Sequence, residues 1–210
     1  MVHVYVADVR HLPDPKEVPG SMELLSAERK NKIERLARPE DRRLSLGAGL
    51  LLQQVLKRHE IEGQNISYGE HGKPQMEDVY FNLSHSHHMV ACAISDKPVG
   101  CDIEKVRDIK GDVAARFFSE QEIAYIEEAE DKKDMFFRLW TMKESYMKMT
   151  GDGLKLGLQN VQVVMGDEIC IQYKGEMQSC IVKEYEVVGY KISVCGEETK
   201  FVEELEVVEV

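Results

Sequence analysis

Hydrophobic and polar positions follow a recognisable sequence of periods along this chain. Val2, Val4 and Val6 recur at every second position and predict a first strand. Pro13, Pro15, Pro19 and Gly20 then break the chain into a loop. Ser26 is a good N-cap for a short basic helix with Ile33, Leu36 and Ala37 on one face. Pro39 suits the first turn of the next helix, where its missing N–H costs nothing. Leu44, Ala48, Leu51, Leu52, Val55 and Leu56 continue as a broad apolar stripe, the mark of a core helix.

Beyond a turn-rich loop at Gly69–Pro74, the pattern predicts strands over Val79–Leu83, Val90–Ser95 and Val99–Val106, with Lys97-Pro98 as a tight connection. Ser119 and Glu122 have capping-box spacing, with Phe118 and Ile123 placed as a hydrophobic staple, so a helix should run to about Ala129. Asp134 is expected to cap a long helix through Met149, with Gly151 at its C′ position. Short β runs follow at Val161–Met165, Glu168–Tyr173, Ser179–Val187 and Tyr190–Cys195. Runs of helices beside runs of strands predict an α+β fold rather than alternating α/β. The stretches before and after about Gly100 have similar element orders, with no clear sequence repeat.

Composition narrows the functional classes. The 210 residues suffice for one large domain or two small ones, and 43% apolar with 31% charged residues is ordinary for a globular protein. No segment reads as a membrane span or a signal peptide, so a cytoplasmic protein with no membrane partner is expected. Cys92, Cys101, Cys170, Cys180 and Cys195 are odd in number, form no C-x-x-C pair and read as small buried hydrophobes. A formal net charge of −11 argues against nucleic acid as a partner. The charge is uneven, however. Arg29, Lys30, Lys32, Arg35, Arg38, Arg42 and Arg43 form a basic stretch against an acidic tail from Glu197. A local basic patch on an acidic protein suits a small phosphorylated ligand.

Three constellations carry candidate chemistry. Asp102 and Glu104 stand two apart in a strand, so both carboxylates share one face. A hard divalent cation such as Mg²⁺ would relieve their repulsion, and an acidic face turned to solvent is the plainer alternative. Trp140, Glu144 and Lys148 fall at i, i+4 and i+8 of the long helix. Glu144 could ligate the cation or accept a proton and Lys148 could meet a phosphate; an exposed Glu–Lys pair is the alternative. Phe81-Asn82-Leu83-Ser84-His85-Ser86-His87-His88 ends a strand in polar groups able to face a phosphate, and its histidines match no common zinc pattern.

Taken in order, these segments resemble the Sfp-type 4′-phosphopantetheinyl transferases. The matching pieces are Gly72-Lys73-Pro74, Phe81 to Ser86, Pro98 to Glu104, Phe117 to Glu122, Trp140 to Lys148 and Gly151-Asp152-Gly153-Leu154, so the resemblance covers nearly the whole chain. It implies a pseudo-dimer of two similar α+β halves, residues 1–100 and 101–210, with the active site in the cleft between them. It further implies a monomer with an internal pseudo-two-fold. Coenzyme A would be the co-substrate, and an apo acyl or peptidyl carrier protein the acceptor. Asp102, Glu104 and Glu144 would hold Mg²⁺. Lys73 and Pro74 would line the adenine, and Arg29, Lys32 and either Arg42 or Arg43 the 3′-phosphate. Ser84 and His85 would contact the phosphates, and Lys143 and Lys148 would line the reaction centre.

By the same resemblance the carrier serine attacks the β-phosphorus of coenzyme A, with Glu144, directly or through a metal-bound water, as first candidate for the base, Lys148 at the departing 3′,5′-ADP and His85 as a further catalytic residue. Apolar residues around Phe117 and Phe118 and from Gly153 to Leu158 are candidates for carrier docking. The family often has Gly after His85-Ser86; His87 in its place predicts a turn of different shape. Two other classes fit the carboxylates less well: a coenzyme A-binding module without catalysis, and a metal-dependent phosphohydrolase.

Overall fold

The computed structural model describes residues 1–61, 66–69, 73–109, 113–152, 157–197 and 200–210. Gly72 of the Gly-Lys-Pro segment and Gly153 and Leu154 of the Gly-Asp-Gly-Leu segment lie outside these residues. The element order is β1 (His3–Asp8), α1 (Ala27–Arg35), α2 (Pro39–Arg58), β2 (Ser67–Tyr68), β3 (Pro74–Gln75), β4 (Tyr80–Ser86), β5 (Met89–Ser95) and β6 (Val99–Lys105). Then come α3 (Val113–Phe117), α4 (Glu120–Glu128), α5 (Lys132–Thr150), β7 (Val161–Val164), β8 (Cys170–Tyr173), β9 (Glu176–Met177), β10 (Ile181–Val187), β11 (Tyr190–Gly196) and β12 (Glu206–Val207). Helices and largely antiparallel sheets are segregated, as α+β predicts.

Several termini form where their residues dictate. Ser26 Oγ accepts from Arg29 N to start α1, and Pro39 opens α2. Ser119 and Glu122 complete the reciprocal capping box of α4. The long helix begins earlier than Asp134 would place it. Asp131 is its N-cap, taking the N–H groups of Lys133 and Asp134, because Asp131 alone has the extended backbone a cap needs. Gly151 closes α5 at φ 83°, in the left-handed region that favours glycine.

Two sheets carry the architecture. In one the order is β12-β1-β5-β4, and in the other β10-β11-β6. Each is crossed by one long helix. The apolar stripe of α2 (Leu44, Ala48, Leu51, Leu52, Val55) packs on Tyr5, Phe81, Cys92 and Ile94. In the second unit α5 packs over β6 and β11, burying Leu139, Met142 and Met147. Element for element the orders correspond: β1, α2, β4, β5 with sheet order β1-β5-β4, and β6, α5, β10, β11 with sheet order β6-β11-β10. The opposite faces of the two sheets share a third core of Val2, Val4, Val6, Ala91, Cys101, Ile103, Ile192 and Val194. The chain end returns to the first sheet, where Tyr5 pairs with Glu206 in parallel.

The sheets also meet edge to edge, by an unusual seam. Asn82 Oδ1 accepts from Cys101 N (3.0 Å), Ser84 Oγ from Ile103 N (3.3 Å) and Ser86 Oγ from Lys105 N (3.1 Å). The constant offset means that β4 and β6 run parallel. Side-chain oxygens on every second residue of β4 thus take the place of backbone carbonyls, satisfying N–H groups that burial would otherwise orphan. At Gly100 the helix comes close. A Cβ there would lie 2.1 Å from Ser145 O and 2.3 Å from Met149 N. The seam and this close approach together fix where β6 and α5 present their polar groups.

Candidate active site

The seam ends in a polar cluster. Ser84 Oγ, besides taking the Ile103 N–H, donates to Asp102 Oδ1 at 2.8 Å. One repeat along, Ser86 Oγ donates to Glu104 Oε2 at 2.7 Å. Alternation in β6 puts both carboxylates on the side away from Cys101 and Ile103, which are fully buried. From α5, the Lys148 ammonium reaches Ser84 Oγ (2.9 Å) and Asp102 Oδ1 (2.5 Å). Three elements therefore converge: β4, β6 and α5.

The electrostatics of this cluster are tightly linked. Burial opposes charge on Lys148, but Asp102 beside it outweighs that penalty and holds the ammonium above its ordinary range. Burial pushes the Asp102 carboxyl up against the opposing pull of Lys148, and Glu104 adds to the rise. Glu144 is raised as well, first by burial and then by Asp102, with Glu104 contributing. Three carboxylates therefore feel one another here. Asp102 Oδ2 is buried with no hydrogen-bond partner among the described residues.

As they stand, no three His, Cys, Asp or Glu side chains among the described residues are gathered closely enough to hold an ion. Lys148 and Ser84 occupy Asp102 Oδ1, and Ser86 and Arg107 (3.1 Å) occupy Glu104 Oε2. The donor set nevertheless fits a hard divalent cation, being all carboxylate oxygen with one buried oxygen left over.

Basic groups gather around His85. His85 follows Ser84 on β4 with its ring turned to the exposed side. Its crowded surroundings hold it below the usual imidazole range, and Lys148, Lys32 and Arg29 push it further down. Helix α1 therefore turns its cations toward the end of β4. Burial also lowers Lys32, with Arg29 adding repulsion. Arg29 and Pro74 line one narrow cleft with Gln53 and Ile66.

Other expected residues are placed differently. Arg42 is buried and committed: its Nε donates to Asp14 Oδ1 at 2.8 Å, a second nitrogen reaches Asp14 Oδ2, and Nη1 serves the carbonyls of Leu36 and Ala37. That guanidinium holds the Asp14 carboxyl down at about 2. Arg43 differs, since its buried Nε has no partner among the described residues.

Lys143 does not join the cluster. Its side chain is wholly buried, with Nζ donating to Glu122 (2.8 and 3.1 Å) and to Phe117 O (2.8 Å). Helix geometry explains this: Lys143 and Glu144 are about 100° apart around α5, so both cannot face β6. Lys73 has a separate role, for its ammonium meets the carbonyls of Lys148 and Met149 at the end of α5.

The apolar candidates also divide. Phe118 and Leu158 are core residues, while residues 153–156 lie outside the description. Phe117 stands edge-on to Trp140 at 5.6 Å. Trp140 instead lines a recess of about 460 Å³ with Glu104, Val113, Phe136 and Phe137. His87 adopts φ 58°, so this non-glycine residue takes the left-handed conformation itself.

Asn82 and Ser86 hold the seam, a role that composition and the resemblance do not give them. Their signal is present as Asn82-x-Ser84-x-Ser86, three short polar side chains at strand period along β4. No helix among the described residues is long and apolar enough to cross a membrane.

The family model described as the 4′-phosphopantetheinyl transferase superfamily matches residues 98–195. The 4′-phosphopantetheinyl transferase Sfp of Bacillus subtilis (strain 168) is 34% identical over 198 residues, spanning 89% of this chain and 88% of that protein. The 4′-phosphopantetheinyl transferase ffp of Bacillus subtilis is 33% identical over 201 residues and 90% of both chains. The solved Thermotoga maritima holo-[acyl-carrier-protein] synthase aligns over 49% of this chain and 64% of its own, with a TM-score of 0.42 and 17% identity.

Proposed function

We propose, from the premise that this chain belongs to the 4′-phosphopantetheinyl transferases and is a transferase enzyme, that it moves phosphopantetheine from coenzyme A to a serine of an apo acyl or peptidyl carrier protein, with Mg²⁺ as cofactor. The observation that carries this reading is the convergence of Lys148, Ser84 and Asp102 beside Glu144. A cation–carboxylate cluster whose Lys148 also neighbours the basic groups around His85 suits a pyrophosphate. The matching strand and helix orders of the two units support an internal pseudo-two-fold, although β6 begins at Val99, before a 1–100/101–210 division, and β12 returns to the first sheet; in this reading the active site lies between the two units.

In this reading Arg29, Lys32 and Arg43 receive the 3′-phosphate, Pro74 flanks the adenine and His85 faces the phosphates. Asp102, Glu104 and Glu144 are the residues that would hold Mg²⁺; bound there, it would neutralise charge on the pyrophosphate. The carrier serine approaches across the apolar recess that opens at Glu104. Its oxygen forms a bond to the β-phosphorus while the bond from that phosphorus to the bridging oxygen breaks, releasing 3′,5′-ADP. Glu144 is the residue that takes the serine proton. The Lys148 ammonium stands against the charge that grows on the departing oxygen.

Intact-mass measurement tests the proposal directly. Apo carrier protein incubated with enzyme, coenzyme A and Mg²⁺ should gain the mass of one phosphopantetheine. The gain should vanish with EDTA and with Asp102→Ala. Coenzyme A binding without any gain on acyl or peptidyl carriers would sink the transfer reading.

A further inference from the structure

The ammonium of Lys73 does not point to open solvent. It donates to Lys148 O at 2.6 Å and Met149 O at 3.1 Å, and lies 3.5 Å from Val99 O. The first two carbonyls belong to the last turn of α5, where no intrahelical N–H remains to serve them. A cation at a helix C-terminus also meets the negative end of the helix dipole. Such capping usually comes from within the helix or just beyond it. Here it comes from just before β3, far away in sequence, and it joins the end of α5 to the first residue of β6.

Lys148 is consequently gripped twice by distant parts of the chain. Its carbonyl is held by Lys73 and its ammonium by Ser84 and Asp102. Gly100 lets the backbone of α5 approach β6 at this same level. The helix end thus has little freedom while the Lys73 contacts persist. Pro74, adjacent to Lys73, lines the cleft that Arg29 shares.

We propose that Lys73 is a positioning residue that latches the last turn of α5, so that the loop beside Arg29 and the ammonium of Lys148 are set together. Resting on the transferase reading, this assigns the Lys73 side chain to the helix end rather than to the nucleotide. Coenzyme A binding beside Pro74 and alignment of Lys148 at the departing oxygen are then linked through one side chain. Burial lowers the Lys73 pKa, in keeping with an ammonium enclosed by carbonyls and withdrawn from water.

Two measurements on Lys73→Met test the latch. Amide hydrogen exchange at Met149 to Gly151 should accelerate on the order of tenfold or more, the effect of losing charge-assisted hydrogen bonds. Amides of Leu51 and Val55 in α2 should keep their rates, and Lys73→Arg should restore protection. In turnover, kcat should fall roughly tenfold while KM for coenzyme A stays within about twofold. In a Lys148→Met background the same substitution should cost little more, because the two residues act as one unit.

Unchanged exchange at the helix end would overturn the latch, as would acceleration shared with α2. A raised KM with kcat intact would place Lys73 on the nucleotide instead and equally overturn it. An enzyme that transfers nothing to any carrier would defeat the transferase reading, and the exchange experiment would still decide whether the latch exists.

Discussion

The Lys148 ammonium sits 2.5 Å from Asp102 Oδ1, while Asp102 Oδ2 is buried without a partner among the described residues. One oxygen is paired from α5, and the other has no partner among the described residues. Replacing Lys148 with Met removes the cation paired with this carboxylate. The lysine is partly exposed, so the loss should be about 2 kcal/mol, below the range for a fully enclosed pair. Urea denaturation measures it. Mg²⁺ should then raise the melting temperature of Lys148→Met more than that of the wild type. An equal rise in both would mean that the ion does not bind at Asp102.

Glu144 separates two roles by substitution. Glu144→Gln keeps the shape but cannot accept the serine proton, so turnover should drop by about 10²–10⁴. Coenzyme A binding should change far less, as isothermal titration would record. Near-normal turnover would rule Glu144 out as the base.

What the sequence made legible follows from how local each signal is. Ser119 and Glu122 satisfy each other within one turn, so spacing alone sufficed. Asp102 and Glu104 share a face by strand geometry, and the structure places both in the cluster. Lys143 was illegible because its partner Glu122 comes from another helix, and no periodicity tells which cation turns inward. The same holds for Arg42, whose partner Asp14 lies in a proline-rich loop that carries no periodic pattern. Lys73 stands in a turn-rich loop, yet its ammonium belongs to a helix end far along the chain. Side-chain pairing between distant elements is a property of the packed fold, and only its raw materials are visible beforehand.

Gly100 ties packing to chemistry. A methyl group there would meet the backbone of Ser145 and Met149, which cannot rotate aside as a side chain could. Gly100→Ala should force α5 away from β6 and destabilise the protein by roughly 1–3 kcal/mol. Turnover should fall further than stability alone explains, since Glu144 and Lys148 move with the helix. Calorimetry beside steady-state kinetics gives both numbers; a variant with native stability and activity would contradict the close approach.

The Glu122–Lys143 pair should behave as a structural keystone. Glu122 also accepts from Ser119 N and Val163 N, joining α4, α5 and β7. Lys143→Ala leaves a carboxylate at zero exposure without its cation, a loss of about 3–5 kcal/mol. Lys143→Met combined with Glu122→Gln should recover part of that, because no unpaired charge remains. Melting temperatures of the three variants decide it. Unchanged stability of Lys143→Ala, with weakened coenzyme A binding instead, would return Lys143 to the reaction centre.

His85 supplies a pH dependence whose sign can be worked out. Its folded pKa lies below the ordinary imidazole value, so between the two the unfolded chain holds more protons than the native one. Stability should therefore rise as pH climbs through the window just below the usual imidazole range, and be lost as pH falls through it. An anionic ligand reverses the preference by favouring the imidazolium. Coenzyme A affinity should thus increase as pH drops across that window, with proton uptake on binding. Calorimetric titration in buffers of different ionisation enthalpy measures the uptake directly. His85→Gln should abolish it while leaving the fold intact. Uptake that persists in the variant would assign the proton to another group and remove His85 from the phosphate-facing groups.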